Sequence, residues 1–196
     1  MFENRQEALE KLIEIIDKDV LDECIVLAIS KRGVFYAREI GIRSGLLEGD
    51  FLFIEKVKSP INKETSLAAV SETRDYVLID ELVESFDITD DYLFGEIQRV
   101  YEEKILEDIY QFRAGEGIIS LEDKKVLLVD EGANTGLTLL CAIKSCISKN
   151  VSSISVAIPV IARETAEMVE KLVDHTFFVK VIDDYIDTQF YFKEYE

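Results

Sequence analysis

The sequence predicts an α/β protein: a parallel sheet flanked by helices, interrupted by an inserted hairpin and one long helix. Three observations carry this expectation. Continuous apolar runs of strand length, "CIVLAIS" at 24–30, "VLLV" at 126–129 and "HTFFVKVI" at 175–182, have the pattern of strands covered on both faces. Amphipathic helical segments alternate with strands at both ends of the chain, as crossover connections between parallel strands require. Between the two halves, "LAAVSETRDYVLID" places the turn "ETRD" between two short strands, and residues 89–112 follow as a helix.

Each element has its own warrant. Residues 4–17 carry Ala8, Leu12, Ile15 and Ile16 on one helical face. After the first strand, "KRG" leads into a helical pattern over 34–45, then "DFLFIEK" reads as a second strand over 50–56, followed by the polar loop "VKSPINKETS". The long helix has Leu93, Ile97, Val100, Tyr101, Ile105, Ile109 and Phe112 at helical spacing, a stripe that suits either a homodimer contact or an intramolecular cap. Then come a buried strand "KKVLLVD", a helix over 137–149, a strand "VSSISVAIPV", a helix "ETAEMVEKLV" and the last core strand.

With 196 residues and 48% hydrophobic content, the chain can bury one substantial core, and no Gly/Ser-rich linker divides it. One domain over 1–196 is expected, with an insertion at about 67–113 and a small hood from about 183–196. No apolar run has bilayer length, the first residues do not resemble a signal peptide, and three cysteines lack metal-type spacing; a soluble, cytoplasmic protein is the expectation. A net charge of −18 argues against nucleic-acid and anionic-membrane partners. The charge is unevenly placed. Residues 80–110 hold eleven acids against two bases, whereas 28–43 hold Lys31, Arg32, Arg38 and Arg43 against Glu39, and Lys56, Lys58 and Lys63 follow. A small anionic ligand can find a positive site on this acidic chain.

"VLLVDEGANTGLT", residues 126–138, is the most informative stretch. In an open α/β sheet, ligands bind beyond the carboxyl ends of the strands, where this loop would lie. Gly132 and Gly136 allow a tight turn, and the amides over 133–138 can converge on an anion at a helix N-terminus, helped by the Thr135 and Thr138 hydroxyls. The loop matches neither common glycine-rich nucleotide motif. Asp130 and Glu131 would repel a phosphate, so they suit vicinal hydroxyls, a divalent cation such as Mg2+, or a developing positive charge. Stabilisation of the helix N-terminus alone is the plainer role for them.

This stretch resembles the signature of the type I phosphoribosyltransferases: four hydrophobics, two acids, a small-residue loop, then T-G-x-T. The resemblance extends through "FENRQEALEKL", "IVLAISKRGVFYAREIG", "LFIEKVKSPINKETSLAAVSE" and "FRAGE", which look like an uncharacterised bacterial and archaeal branch of the family. It implies a ligand, phosphoribosyl pyrophosphate (PRPP), whose ribose hydroxyls meet Asp130 and Glu131. Its 5-phosphate would lie among Ala133, Asn134, Thr135, Gly136, Leu137 and Thr138. Pyrophosphate would be held by Ser30, Lys31, Arg32 and Gly33, in a turn that often carries a non-proline cis peptide in the family, and by Lys58. Lys56 joins Asp130 and Glu131 as the expected catalytic set, and Mg2+ would be met by the two acids, directly or through water. Residues 59–71 fall where the family has a mobile flap, with Lys63 and Glu64 available for contacts.

The implied activity is Mg2+-dependent phosphoribosyl transfer from PRPP to a nitrogenous base or related acceptor, with release of pyrophosphate. A PRPP- or nucleotide-sensing module without turnover is the alternative. A hydrolase using Asp130 as nucleophile is disfavoured, because no lysine or second acidic motif accompanies it. Other residues carry less. His175, the only histidine, is expected to be structural, as are Cys24, Cys141 and Cys146, and Arg113 to be a surface residue ending a helix rather than a phosphate contact. The aromatics of "YIDTQFYFKEY" suit a hood over a planar base or a terminal packing patch. Two departures from the family pattern stand out: Asn134 replaces a small or hydroxyl residue, and the acid-rich helix before Phe112 lacks the arginines that related sequences carry there.

Overall fold

The structure, a computed structural model, describes residues 1–46 and 49–195. Its elements in order are α1 (Arg5–Ile15), α2 (Lys18–Leu21), β1 (Cys24–Ala28), α3 (Gly33–Ser44), β2 (Asp50–Phe51), β3 (Ile54–Lys58), β4 (Ser66–Ser71), β5 (Tyr76–Leu78), α4 (Asp80–Ser85), α5 (Asp90–Val100), a π-helical turn (Tyr101–Ile105) and α6 (Leu106–Arg113). There follow β6 (Lys125–Val129), β7 (Gly132–Ala133), α7 (Leu137–Ser148), β8 (Ser153–Ala162), α8 (Arg163–Val169), β9 (His175–Ile182) and a 3-10 turn (Thr188–Tyr191). The strands β2-β1-β6-β8 form one parallel sheet, which β7 and β9 extend along β8.

Successive residues of the central strands feed two cores. Val26 and Leu127 pack with Leu9, Leu12, Tyr36 and Ile40 on one face, while Leu27, Val126 and Leu128 pack with Leu139, Ala142 and Ile143 on the other. A period of two with apolar residues at every position is the form a doubly covered strand must take. The parallel sheet expected from the apolar runs is present.

The insertion is larger than expected at its leading edge. The single strand anticipated over 50–56 is two. Asp50 and Phe51 pair with β1 in the large sheet, whereas Ile54 to Lys58 pair antiparallel with β4. The corner forms because Leu52 and Phe53, both buried, belong to different cores: Leu52 packs under the large sheet and Phe53 in the inserted unit. The expected flap is also partly strand. Residues 66–71 form β4, with Leu67 to Ser71 buried, which leaves 59–65 as the connecting loop. The β4–β5 hairpin stands where the sequence places it.

The long helix runs from its N-cap Thr89, whose hydroxyl accepts from the Tyr92 amide, to Arg113. Its stripe of Leu93, Ile97, Val100, Tyr101, Ile105 and Ile109 covers the small sheet through Phe53, Val57, Leu67, Ala68 and Val70. An intramolecular cap therefore occupies this stripe. Spacings of four drift off one face of an α-helix, and the wider π turn keeps Tyr101 and Ile105 turned inward. Phe112, expected in the stripe, is exposed at the rim.

No helix among the described residues is long and apolar enough to cross a membrane. The segment after β9 folds back on the domain. Phe192 bridges Phe2, and the Lys193 and Glu194 amides donate to the carbonyls of Phe2 and Glu3. Glu196, the end of the expected hood, lies outside the described residues.

Candidate functional site

Asp130 and Glu131 occupy a gap in a strand. β6 ends with Val129 opposite Ala157, and β7 resumes with Gly132 opposite Val160, so the register on β8 is unchanged across the interruption. Pro159, which has no N–H to contribute to a ladder, lies between those two β8 partners. The two acids leave the ladder while remaining among the most buried polar residues, Asp130 at 8% and Glu131 at 2% exposure.

Buried carboxylates need donors or cations. Asp130 Oδ1 accepts from the Ser30 hydroxyl and from the Glu131 amide at 2.7 Å. Burial pushes the Asp130 carboxyl up to about 6, reinforced by the Glu131 charge and opposed by the Ser30 and Glu131 donors and by Lys56. Glu131 meets one arginine on each oxygen: Arg5 Nη2 lies 3.4 Å from Oε1 and Arg32 Nη1 lies 3.3 Å from Oε2. The Arg32 guanidinium also stacks on the Tyr195 ring at 4.0 Å.

The turn after β1 approaches these acids closely. The Gly33 amide donates to Ser30 Oγ at 3.0 Å, and a Cβ at Gly33 would lie 2.6 Å from the Val129 carbonyl. Only glycine lets α3 begin so near the end of β6. The peptide bonds of this turn are trans; among the described residues none is cis.

Beyond Ala133 the chain turns through Gly136, at φ 72°, into α7. Asn134 is exposed, and its backbone carbonyl accepts from the Thr165 hydroxyl. Gly136 packs on Thr165, where a Cβ would lie 2.7 Å from Cγ2.

A cleft of 520 Å³ opens above this floor. Ser30, Lys31, Arg32, Lys56, Lys58, Asp130, Glu131, Ala133, Asn134, Thr135, Gly136, Leu137 and Thr138 all line it, and Gly33 lies behind the wall. Its volume is in the range of small-molecule sites. Lys58 Nζ donates to the Glu64 carbonyl across the hairpin at 3.3 Å, while Lys63 and Glu64 are exposed.

Several residues at or beneath the cleft have no motif to announce them. Lys104 and Asp108, one helical turn apart on the long helix, reach the opposite wall, and Lys104 pairs with Glu55 at 3.6 Å. Their i,i+4 spacing around the only lysine of that helix is the one signal the sequence offers. Thr188 joins from the C-terminal segment, whose aromatics Tyr185, Tyr191, Phe192 and Tyr195 pack on the domain. Arg5 is brought in by α1, which no local pattern indicates.

One expectation about these side residues needs correcting. Arg113 is neither a surface residue nor a phosphate contact; it is largely buried, binds Glu72 and lies 3.8 Å from Asp50. Its place is the joint between the large sheet and the inserted unit. His175 is exposed at the start of β9, at the opposite end of the sheet from the cleft. The three cysteines are buried and unbonded, as expected of core residues.

The chain is similar over its full length to TT1426 from Thermus thermophilus, with 26% identity, 91% coverage of that chain and a TM-score of 0.77. More distant in sequence are a purine phosphoribosyltransferase from Pyrococcus horikoshii (14% identity, 98% of this chain and 89% of that one, TM-score 0.52) and a hypoxanthine phosphoribosyltransferase from Staphylococcus aureus (13%, 92% and 76%, TM-score 0.52). At such identities these two speak for the fold alone. No match was found among curated proteins. The model of the phosphoribosyl transferase domain matches residues 2–193, nearly the whole chain, and the chain belongs to that family.

Proposed function

We propose that the cleft binds PRPP and that the protein transfers its phosphoribosyl group to a nitrogenous base or related acceptor, releasing pyrophosphate. The observation that carries this reading is the arrangement of the floor: a buried carboxylate pair between two anion-receptive loops, all in one cleft. The 5-phosphate would sit on the amides at the start of α7, where the helix dipole favours negative charge. Pyrophosphate would lie against the loop 30–33 with Lys56 and Lys58, the ribose hydroxyls facing Asp130 and Glu131.

The described residues bring no three His, Cys, Asp or Glu side chains together as a metal site. That donor set suits Mg2+ carried in on the phosphates and touching the protein through one or two carboxylates. When bound, Mg2+ would neutralise charge developing on the leaving pyrophosphate. The chain's own part is positioning and electrostatics. Lys31, Arg32 and Lys56 attract the leaving group, and the two acids offer negative charge to a ribosyl centre that becomes cationic as the C1–O bond breaks. No nucleophile on the protein is required, since the acceptor nitrogen supplies the new bond.

The test is titration calorimetry with PRPP, with and without Mg2+, on the protein and on Asp130→Asn/Glu131→Gln. Mg2+-dependent binding that the double variant weakens at least tenfold, followed by pyrophosphate release with one of a panel of bases, is the expected result. Tight binding with no release across the panel would favour the sensing module. No binding at all would sink the PRPP reading.

A further inference from the structure

We infer that Arg5 is a positioning residue for Glu131: it holds one carboxylate oxygen permanently, so that Arg32 can leave the other when the pyrophosphate end of the ligand arrives. The inference rests on the reading of the cleft as a PRPP site and adds a division of labour within it.

The two arginines differ in setting. Arg5 stands in the first turn of α1, beside the N-cap Asn4 that accepts from the Glu7 amide at 3.0 Å. Its guanidinium lies on the Phe35 ring, 4.6 Å from the centroid, and it does not line the cleft. Arg32 lines the cleft from the turn at the N-terminus of α3 and is the more exposed, at 45% against 34% for the Arg5 side chain. One cation is braced behind the acid and the other faces the ligand.

A carboxylate at 2% exposure makes this asymmetry consequential. An anion entering the loop 30–33 competes with Glu131 for Arg32. Were Arg32 the sole partner, its departure would leave a buried charge uncompensated, which is strongly unfavourable. With Arg5 retained on Oε1, Oε2 becomes available to accept from a ribose hydroxyl. Tyr36 lies in the core near this pair. Its hydroxyl is fully buried, makes no hydrogen bond among the described residues, and feels the charges of Glu131 and Arg5 above those of its other neighbours. It is a spare donor beside the pair.

The experiment is calorimetry on the full chain with three probes: ribose 5-phosphate, inorganic pyrophosphate with Mg2+, and PRPP with Mg2+. The variants are Arg5→Met, Arg5→Lys and Arg32→Met, each checked for folding by thermal denaturation. Arg5→Met should weaken ribose 5-phosphate and PRPP about tenfold or more while leaving pyrophosphate within about twofold, and Arg5→Lys should recover part of the loss. Arg32→Met should show the reverse preference, losing pyrophosphate most. If Arg5→Met does not fold, Phe35→Leu, which removes the brace but keeps the charge, should show a smaller loss with the same ribose-selective pattern. Equal weakening of both fragments, or unchanged ribose 5-phosphate binding, overturns the role of Arg5 and leaves the PRPP reading standing. Failure of the unaltered protein to bind any of the three overturns both.

Discussion

Ser30 donates to Asp130 Oδ1 and accepts from the Gly33 amide at 3.0 Å, so one hydroxyl joins the turn after β1 to the acid after β6. The two residues are a hundred positions apart, and adjacent parallel strands bring them together. Through this bond the loop 30–33 and the acids after β6 share a fixed spacing. A ligand bridging both thus meets a floor whose geometry is set by the sheet.

The same burial makes Asp130 a source of pH-dependent instability. Its folded value is raised from 3.8 to about 6, so the folded chain holds a proton that the unfolded chain releases between those values. Its contribution to stability is therefore greatest below 3.8 and falls as pH rises to about 6. Asp130→Asn should stabilise the protein on the order of 2–3 kcal/mol at pH 8 and by about half that at pH 5. Chemical denaturation of both proteins at the two pH values checks this. An equal gain at both would remove the titration of Asp130 as its cause. PRPP binding should weaken in the same variant, the expected conflict between a site and its stability.

Arg113 and Glu72 form the buried joint between the large sheet and the inserted unit. Glu72 Oε1 accepts from the Phe53 amide at 2.9 Å and Oε2 from Arg113, while burial holds its carboxyl above the usual range. Arg113→Met should cost about 3 kcal/mol, because it strands a buried carboxylate. Removing the cation raises the folded value of Glu72 further, so the deficit should grow as pH rises from about 5 to about 8. Adding Glu72→Gln should restore most of the loss. A double variant no better than Arg113→Met would show that packing of Arg113 on Phe53 is what matters.

How much of this was legible depends on whether a feature is local. The strand "VLLV", the acids after it and the helix from Leu137 could be read because strand period, loop chemistry and helix start are adjacent in sequence. The division at Leu52 and Phe53 was not, since both are apolar and only the tertiary structure sends them to different cores. Likewise the strand over 67–71 was legible in its apolar run, but its pairing with Ile54 to Lys58 was not. Arg5 on Glu131 and Arg113 on Glu72 are long-range ion pairs, for which a single sequence offers no periodicity. The motif residues converge on one cleft as expected; the partners that hold them in place came only with the fold.

Gly136 tests the proposed phosphate loop. It adopts φ 72°, disfavoured for residues with a Cβ, and a Cβ there would meet Thr165 Cγ2 at 2.7 Å and Met168 Cε at 3.0 Å. Gly136→Ala should destabilise the fold by about 1–3 kcal/mol and weaken ribose 5-phosphate more than pyrophosphate. Calorimetry with the two fragments reads the difference. Pyrophosphate weakened as much as ribose 5-phosphate would show that the loop is not a separate subsite.

Gly132 ties the C-terminal segment to the site. A Cβ there would lie 2.6 Å from Thr188 Cγ2, 2.7 Å from Thr188 Oγ1 and 2.7 Å from the Tyr185 hydroxyl. Those two side chains are hydrogen-bonded to each other at 2.8 Å, so neither moves without breaking that contact. Gly132→Ala should therefore lift the 3-10 turn away from the cleft, cost about 1–2 kcal/mol, and speed proteolytic cleavage within 184–195. Thr188→Ala removes two of the three clashing atoms, and combined with Gly132→Ala it should recover most of the protection. If cleavage is unchanged in Gly132→Ala, the strain is being absorbed by β7, and amide exchange at Gly132-adjacent positions and Ile161 should rise instead.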